Sequence, residues 1–264
     1  MPQRYLTRNG EFIVRIDLLD RARLELLNKR GLRYNLQDAE KDYFLAVALN
    51  LLYSSKLKND LVFKGGTAIY HCYVEQLRFS NDLDFTSKTK LSLSDLEGLF
   101  SESDIFTIKE AREKKYGLDI SLRYTGPLGQ PDTIEVDINT NQKVLLEPCV
   151  MEYRNHYNVQ LSCLVMDKKE IFAEKIRTLN ERARPRDPYD LVILRKIFNI
   201  EIKDGLDLLK RKESHAEPDK DRVAENLALS LGRFDDEMKE LYYRNIVDKD
   251  EIKRFSEELI RTMG

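Results

Sequence analysis

The chain is short of several things. Cysteine and histidine are scarce, at three each in 264 residues. Cys72, Cys149 and Cys163 are scattered, with no CxxC pair and no histidine cluster beside them, so neither a disulfide framework nor a zinc site is expected. They read as buried or incidental thiols. His71, His156 and His215 are equally dispersed, and no HExxH or GxSxG pattern surrounds them, which leaves histidine-based catalysis without a framework. No run approaches the roughly 20 apolar residues that span a bilayer, and the opening MPQRYLTRNGEF lacks the apolar centre of a signal peptide. The expectation is a cytoplasmic protein with no membrane partner. Net charge is nearly absent too: 44 basic side chains against 46 acidic ones leave −2. No overall field points to nucleic acid, so any RNA contact has to be local. Internal repeats and low-complexity segments are also missing.

What is present suffices for a core: 42% of residues are hydrophobic, enough for one large domain or two modest ones. Residues 11–55 read as two helices. FIVRIDLLDRARLELLNKR is amphipathic, and LQDAEKDYFLAVALNLLYSS is apolar nearly all round in its second half, which predicts burial. The period then changes. LVF at 61–63 reads as a strand, TAIYHCYVEQL as a helix, DLDFTS as a strand, and SLSDLEGLF as a helix with a serine cap. LDISLRYTG and TIEVDINT alternate and are joined by PLGQPD, a hairpin signal that puts Ile134, Val136 and Ile138 on one face and Glu135 and Asp137 on the other. From about 167 the pattern is helical again. Asp167 and Glu170 have capping-box spacing, Asp187 is expected as an N-cap before Pro188, and KESHAEPDKD at 212–221 reads as an exposed loop. Strands interspersed with helices imply an α/β or α+β core.

The chemistry concentrates in FKGGTAIYHCYVEQLRFSNDLDF, residues 63–85. Adjacent glycines between strand and helix let backbone amides approach an anion, where a helix N-terminus adds positive potential. Gly65 and Gly66, with the hydroxyl of Thr67, could cradle a triphosphate; a tight connection is the ordinary alternative. On a strand, Asp82 and Asp84 point to one face, within reach of one cation. Magnesium, which takes oxygen ligands and completes its shell with water and phosphate, suits such a pair. A third carboxylate on a neighbouring strand, Asp137 with Glu135 in reserve, would allow two-metal chemistry; a solvated polar face is the ordinary alternative. Lys175 lies along an apolar stripe between Ile171 and Leu179. It either snorkels to solvent or neutralises triphosphate charge. ERARPRDPYDL then brings Arg182, Arg184, Arg186, Asp187 and Asp190 together, residues that capping and solvation also explain.

In combination these stretches resemble the AbiEii-type nucleotidyltransferase toxins, the toxin half of the AbiE (type IV) toxin–antitoxin systems. FKGGTAIYHCYVEQLRFSNDLDF looks like the family signature and EKDYFL at 40–45 like the helix before it, while EIFAEKIRTL and RARPRDPYDL look like the third and fourth motifs. The resemblance implies an α+β fold: a nucleotidyltransferase core of the DNA polymerase β type over residues 1–160, with its N-terminal helices, and a helical C-terminal domain over 161–264 that completes the cleft. It carries the phosphate-binding turn onto Gly65, Gly66 and Thr67, with Ser80 opening the acidic motif. It carries the metal-binding acids onto Asp82 and Asp84, and the short second motif, VDINT, onto Asp137. Lys175, Arg184, Asp187 and Asp190 match the later motifs, whereas Arg186 stands where lysine is common and Pro188 is peculiar to this chain.

The expected activity is magnesium-dependent transfer of NMP from an NTP to an acceptor hydroxyl, with release of pyrophosphate. Asp82, Asp84 and Asp137 would hold metal, Lys175 would stabilise triphosphate charge, and Asp190 would orient that lysine or contact the nucleotide. Similarity of the family to enzymes acting on tRNA 3′ ends makes tRNA the expected acceptor, with KEAREKKYG and LRKIF as local basic stretches and a cognate antitoxin as partner. A protein or small-molecule acceptor, and a catalytically silent nucleotide-binding protein, are the alternatives.

Overall fold

The computed structural model describes residues 4–6, 12–14, 17–101, 103–212, 218–240, 244 and 247–264. Its elements in chain order are β1 (Arg4–Leu6), β2 (Phe12–Val14), α1 (Arg21–Arg30), α2 (Leu36–Ser54), β3 (Leu61–Lys64), α3 (Gly65–Ala68, continued as a π turn over Ile69–Tyr73), β4 (Asp82–Ser87), α4 (Leu93–Ser101), β5 (Thr107–Lys114), β6 (Gly117–Thr125), β7 (Pro131–Asn139), β8 (Cys149–Glu152), β9 (Ser162–Val165), α5 (Lys168–Glu181), α6 (Arg186–Phe198), α7 (Ile202–Lys212), α8 (Lys220–Glu240) and α9 (Lys249–Thr262). The fold is α+β, and the chain divides into two compact units. One comprises Met1–Gln76, Ser80–Asn141 and Cys149–Val165; the other comprises Leu77–Phe79, Gln142–Pro148 and Met166–Gly264. Among the described residues no helix is long and apolar enough to cross a membrane.

The first unit is built on a seven-stranded mixed sheet in the order β5-β6-β7-β4-β3-β9-β8. β4 runs parallel to β7 and β3 parallel to β9, while the other pairs are antiparallel. On β7 the expected alternation holds: Ile134, Val136 and Ile138 are buried, and Glu135 and Asp137 face outward. The buried face carries an aromatic layer in which Phe44 of α2 stacks on Tyr124 at 4.0 Å and meets Phe106 edge-on at 5.9 Å. Burial of α2 from Ala39 to Leu52 follows from its apolar second half.

The two acids of EKDYFL are structural. Glu40 is 4% exposed and its carboxylate accepts the Leu128 N–H at 2.7 Å, pinning the turn between β6 and β7. Gly126 is required there, because a Cβ would lie 2.4 Å from Glu40 Oε1. Asp42, fully buried, accepts from Gln76 Nε2 at 3.0 Å and lies 3.3 Å from His71 Nε2, while His71 Nδ1–H donates to the Arg154 carbonyl at 2.8 Å. His71 therefore works as a core histidine.

Several local expectations are corrected. Phe12–Val14 is a strand paired with Arg4–Leu6, and helix begins only at Arg21, where Asp20 caps it by accepting the Arg23 N–H. Ile13 and Val14 are β-branched and find a ladder partner, which outweighs the helical period. TAIYHCYVEQL leaves helix at Val74, and the helix starts at Gly65 itself. Asp167 caps α5 by accepting the Lys169 N–H, but Glu170 does not complete a box: it is buried, accepting the Leu145 and Leu146 N–H groups and pairing with Lys212. Residues 213–217 of the expected 212–221 loop lie outside the described residues. The cysteines are unpaired, with Cys72 and Cys163 buried and Cys149 exposed.

The packing separates two glycines. Gly126→Ala should destabilise the protein by about 1–3 kcal/mol through overpacking against Glu40. Gly98→Ala, in α4 with nothing within 4 Å of the added methyl, should stabilise by up to about 1 kcal/mol. Urea unfolding of both variants checks the pair.

Candidate active site

In the first unit the site is built where β3 turns into α3 beside β4 and β7. Gly65 sits at φ +75°, and a Cβ there would be 2.1 Å from Asp84 Oδ2. Only glycine admits the carboxylate so close to the backbone. Asp84 pairs in register with Asp137 and Asp82 with Glu135, across the parallel strands β4 and β7. The register thus sets Asp137, rather than Glu135, against the second acid of DLD. Glu135 is engaged elsewhere, accepting the Ser121 hydroxyl at 2.7 Å.

Thr67 differs from its expected part. Its hydroxyl is fully buried and donates to the Asp82 carbonyl at 2.6 Å, with Ser80 Oγ at 3.0 Å. Thr67 and Ser80 therefore fix the start of β4 from inside, and a phosphate at this turn would meet backbone amides instead of the Thr67 hydroxyl.

Asp137 is strongly perturbed. Burial, then the negative charges of Asp84 and Asp119, push its carboxyl up to about 6 against the opposing pull of Lys114. Asp119 on β6 is the register partner of Asp137 and shares a hydrogen bond with it. Lys114 at the end of β5 pairs with Asp119 and lies 3.7 Å from Asp137 Oδ2. Among the described residues no three His, Cys, Asp or Glu side chains are already gathered at metal-binding separation. The donor set nonetheless fits a hard cation: carboxylate oxygens on adjacent strands, crowded by like charge that a cation would relieve.

The second unit holds the other expected residues in a buried chain of alternating charge. Arg78 grips Asp190 through Nε to Oδ1 at 2.8 Å and Nη2 to Oδ2 at 2.7 Å. Lys175 Nζ contacts Asp190 Oδ2 at 2.8 Å and Asp187 Oδ1 at 2.9 Å. Arg182 completes the row with Nε at 2.9 Å from Asp187 Oδ2. Lys175 is only 7% exposed, so it does not snorkel. Burial pushes the Asp187 and Asp190 carboxyls up, but their cationic partners more than offset it and hold both below the usual carboxylate range. Asp187 is not the N-cap of α6: Pro185 occupies that position, and the Asp187 side chain turns to Lys175 and Arg182. Arg184 is exposed and enters only through its carbonyl, which accepts the Asp187 N–H at 3.0 Å.

Three residues were not visible as site residues in the sequence: Arg78, Asp119 and Lys114. Arg78 lies two positions before Ser80 in RFSNDLD, and only the three-dimensional pairing with Asp190 marks it. Asp119 could be found by folding the β6–β7 hairpin about PLGQPD, which sets it opposite Asp137. Of the basic stretches, Lys109, Arg112 and Lys114 lie on the exposed strand β5, where Arg112 pairs with Glu110 and Lys114 with Asp119, and Arg195 and Lys196 are paired with Glu258 and Glu251.

The family described as "Nucleotidyl transferase AbiEii toxin, Type IV TA system" matches residues 50–259. MenT4, a nucleotidyltransferase toxin from Mycobacterium tuberculosis H37Rv, is similar in structure with a TM-score of 0.59 at 18% identity, covering 91% of this chain and 98% of its own. JHP933 from Helicobacter pylori matches with a TM-score of 0.54 at 17% identity, covering 86% and 93%. At such identities the likeness establishes a shared fold. No protein of curated function matches the sequence.

The buried charge chain makes a stability prediction. Asp187→Asn or Asp190→Asn leaves a cation without its counter-charge and should cost about 3–5 kcal/mol at neutral pH. Because the folded carboxyls are held below their unfolded value of roughly 3.9, this stability is present above that pH and is lost as pH falls through the lower folded value. Unfolding curves at pH 7 and in the acid limb should therefore converge for wild type and variant as pH drops.

Proposed function

The chain belongs to the AbiEii family of nucleotidyltransferase toxins of type IV toxin–antitoxin systems, and from that premise we propose that it transfers NMP from an NTP to the 3′ end of tRNA with magnesium as the metal. Membership makes it a nucleotidyltransferase with a nucleoside triphosphate as substrate and a cognate antitoxin as partner. The observation that carries the proposal is the register of Asp84 with Asp137, Asp82 two residues away on the same face, and Gly65 too close to Asp84 for any Cβ.

In this reading Asp82, Asp84 and Asp137 hold the metal. A divalent ion bound there supplies the positive charge that activates the attacking hydroxyl and holds the leaving pyrophosphate. The backbone amides of Gly65, Gly66 and Thr67 bind phosphate oxygens. The acceptor oxygen attacks the α-phosphorus; the new P–O bond forms as the bond to the bridging oxygen breaks, and pyrophosphate leaves with that electron pair. The hydroxyl proton passes to a carboxylate oxygen of Asp137. Lys175 meets triphosphate charge, and Asp190 and Asp187 orient its ammonium. Arg184, exposed, is free to meet phosphate from solution. Lys109, on the exposed strand β5, would follow an RNA backbone, a contact that weakens with salt.

The test incubates the protein with magnesium, total tRNA and each α-labelled NTP in turn, beside Asp82→Ala/Asp84→Ala. A tRNA band labelled by one NTP and absent with the double variant is expected. Label on protein alone would move the acceptor to another macromolecule, and no label with any NTP would sink tRNA transfer. Gly65→Ala should lower the rate by roughly 100-fold, since displacing one reacting group by about an ångström costs that much.

A further inference from the structure

Lys114 is explained by neither the fold nor the reaction as described. It ends the edge strand β5, opposite Gly117 in the register of β5 with β6. Gly117 presents no side chain, and a Cβ there would strike the Ile138 carbonyl at 2.6 Å. From that position Lys114 brings its ammonium to Asp119 and Asp137 together. These two acids and Asp84 form one row across β6, β7 and β4. In a metal-free protein such a row favours positive charge, because each acid stands one strand spacing, about 5 Å, from the next.

We propose that Lys114 is a built-in counter-cation for this row, occupying Asp137 until a divalent ion displaces it. The proposal rests on reading Asp82, Asp84 and Asp137 as the metal site. Lys114 suits the part because it is 54% exposed. An ion pair so open to water is weak, and a doubly charged ion in contact with carboxylate oxygens outcompetes it. A lysine ammonium is a point charge on a flexible stem, so it leaves without rearranging the strand that carries it. Asp119 is then a positioning residue: it keeps Lys114 beside the site while Asp137 turns to the metal. The neighbouring Arg112 is occupied by Glu110 and does not share this duty.

The probe is Mn2+, titrated into the full chain while the free-ion EPR signal is followed, with no nucleotide present. Lys114→Met should tighten Mn2+ binding roughly fivefold, the equivalent of removing one exposed ion pair. Lys114→Arg, which retains the charge, should stay near wild type. Asp82→Asn/Asp84→Asn should abolish binding. If Mn2+ binding survives in that double variant, the metal-site reading itself fails. If binding is lost there but Lys114→Met leaves the affinity unchanged or weaker, the site stands and the counter-cation proposal is overturned. Circular dichroism of each variant confirms that folding is intact.

Discussion

The approach of Asp84 to the backbone at Gly65 is the constraint on which the acidic face depends. A carboxylate can lie against a peptide only where no Cβ intervenes and the backbone takes a positive φ, and Gly65 meets both conditions. With Asp84 fixed, the parallel register of β4 and β7 brings in Asp137, and the antiparallel register of β6 brings in Asp119. Each added acid raises the electrostatic cost of the face. That cost is tolerated because the opposite face of the same strands is packed with Leu83, Phe85, Val136, Ile138 and Ile120, whose burial holds the strands in place whatever the acids prefer.

The second unit meets a related problem by another route. Asp187 and Asp190 are removed from water altogether, and the structure intersperses them with Arg78, Lys175 and Arg182 so that no like charges are neighbours in the row. Lys175 is thereby held by two carboxylates at once, which fixes its ammonium more tightly than its flexible stem could. Arg78 suits its end of the row because its planar guanidinium binds both oxygens of Asp190, a geometry lysine cannot copy.

Much of this was legible in the sequence where period and chemistry agreed. The alternation in TIEVDINT gave the right face to Asp137, the apolar length of α2 gave its burial, and DLDFTS gave both acids. Other features were hidden for physical reasons. TIKEAREK carries charge on both faces because it is an edge strand exposed on both sides, so no period-two signal marks it. Glu170 has capping-box spacing but is drawn inward by the Leu145 and Leu146 amides, which no local pattern reveals. The spacing around Lys175 left snorkelling open because its partners lie 12 and 15 residues on, at Asp187 and Asp190. Arg78 was silent because its partner is 112 residues away. Local patterns report periodicity; pairings across long loops need the fold.

The strand order decides how the acidic face comes together. Asp84 and Asp137 become neighbours only by the parallel pairing of β4 with β7, which α4, β5 and β6 separate along the chain. Such non-local parallel pairing is slow compared with hairpins and helices. A chain truncated before β7 therefore carries Asp82 and Asp84 without Asp137 beside them. The acidic face is a product of the sheet's topology.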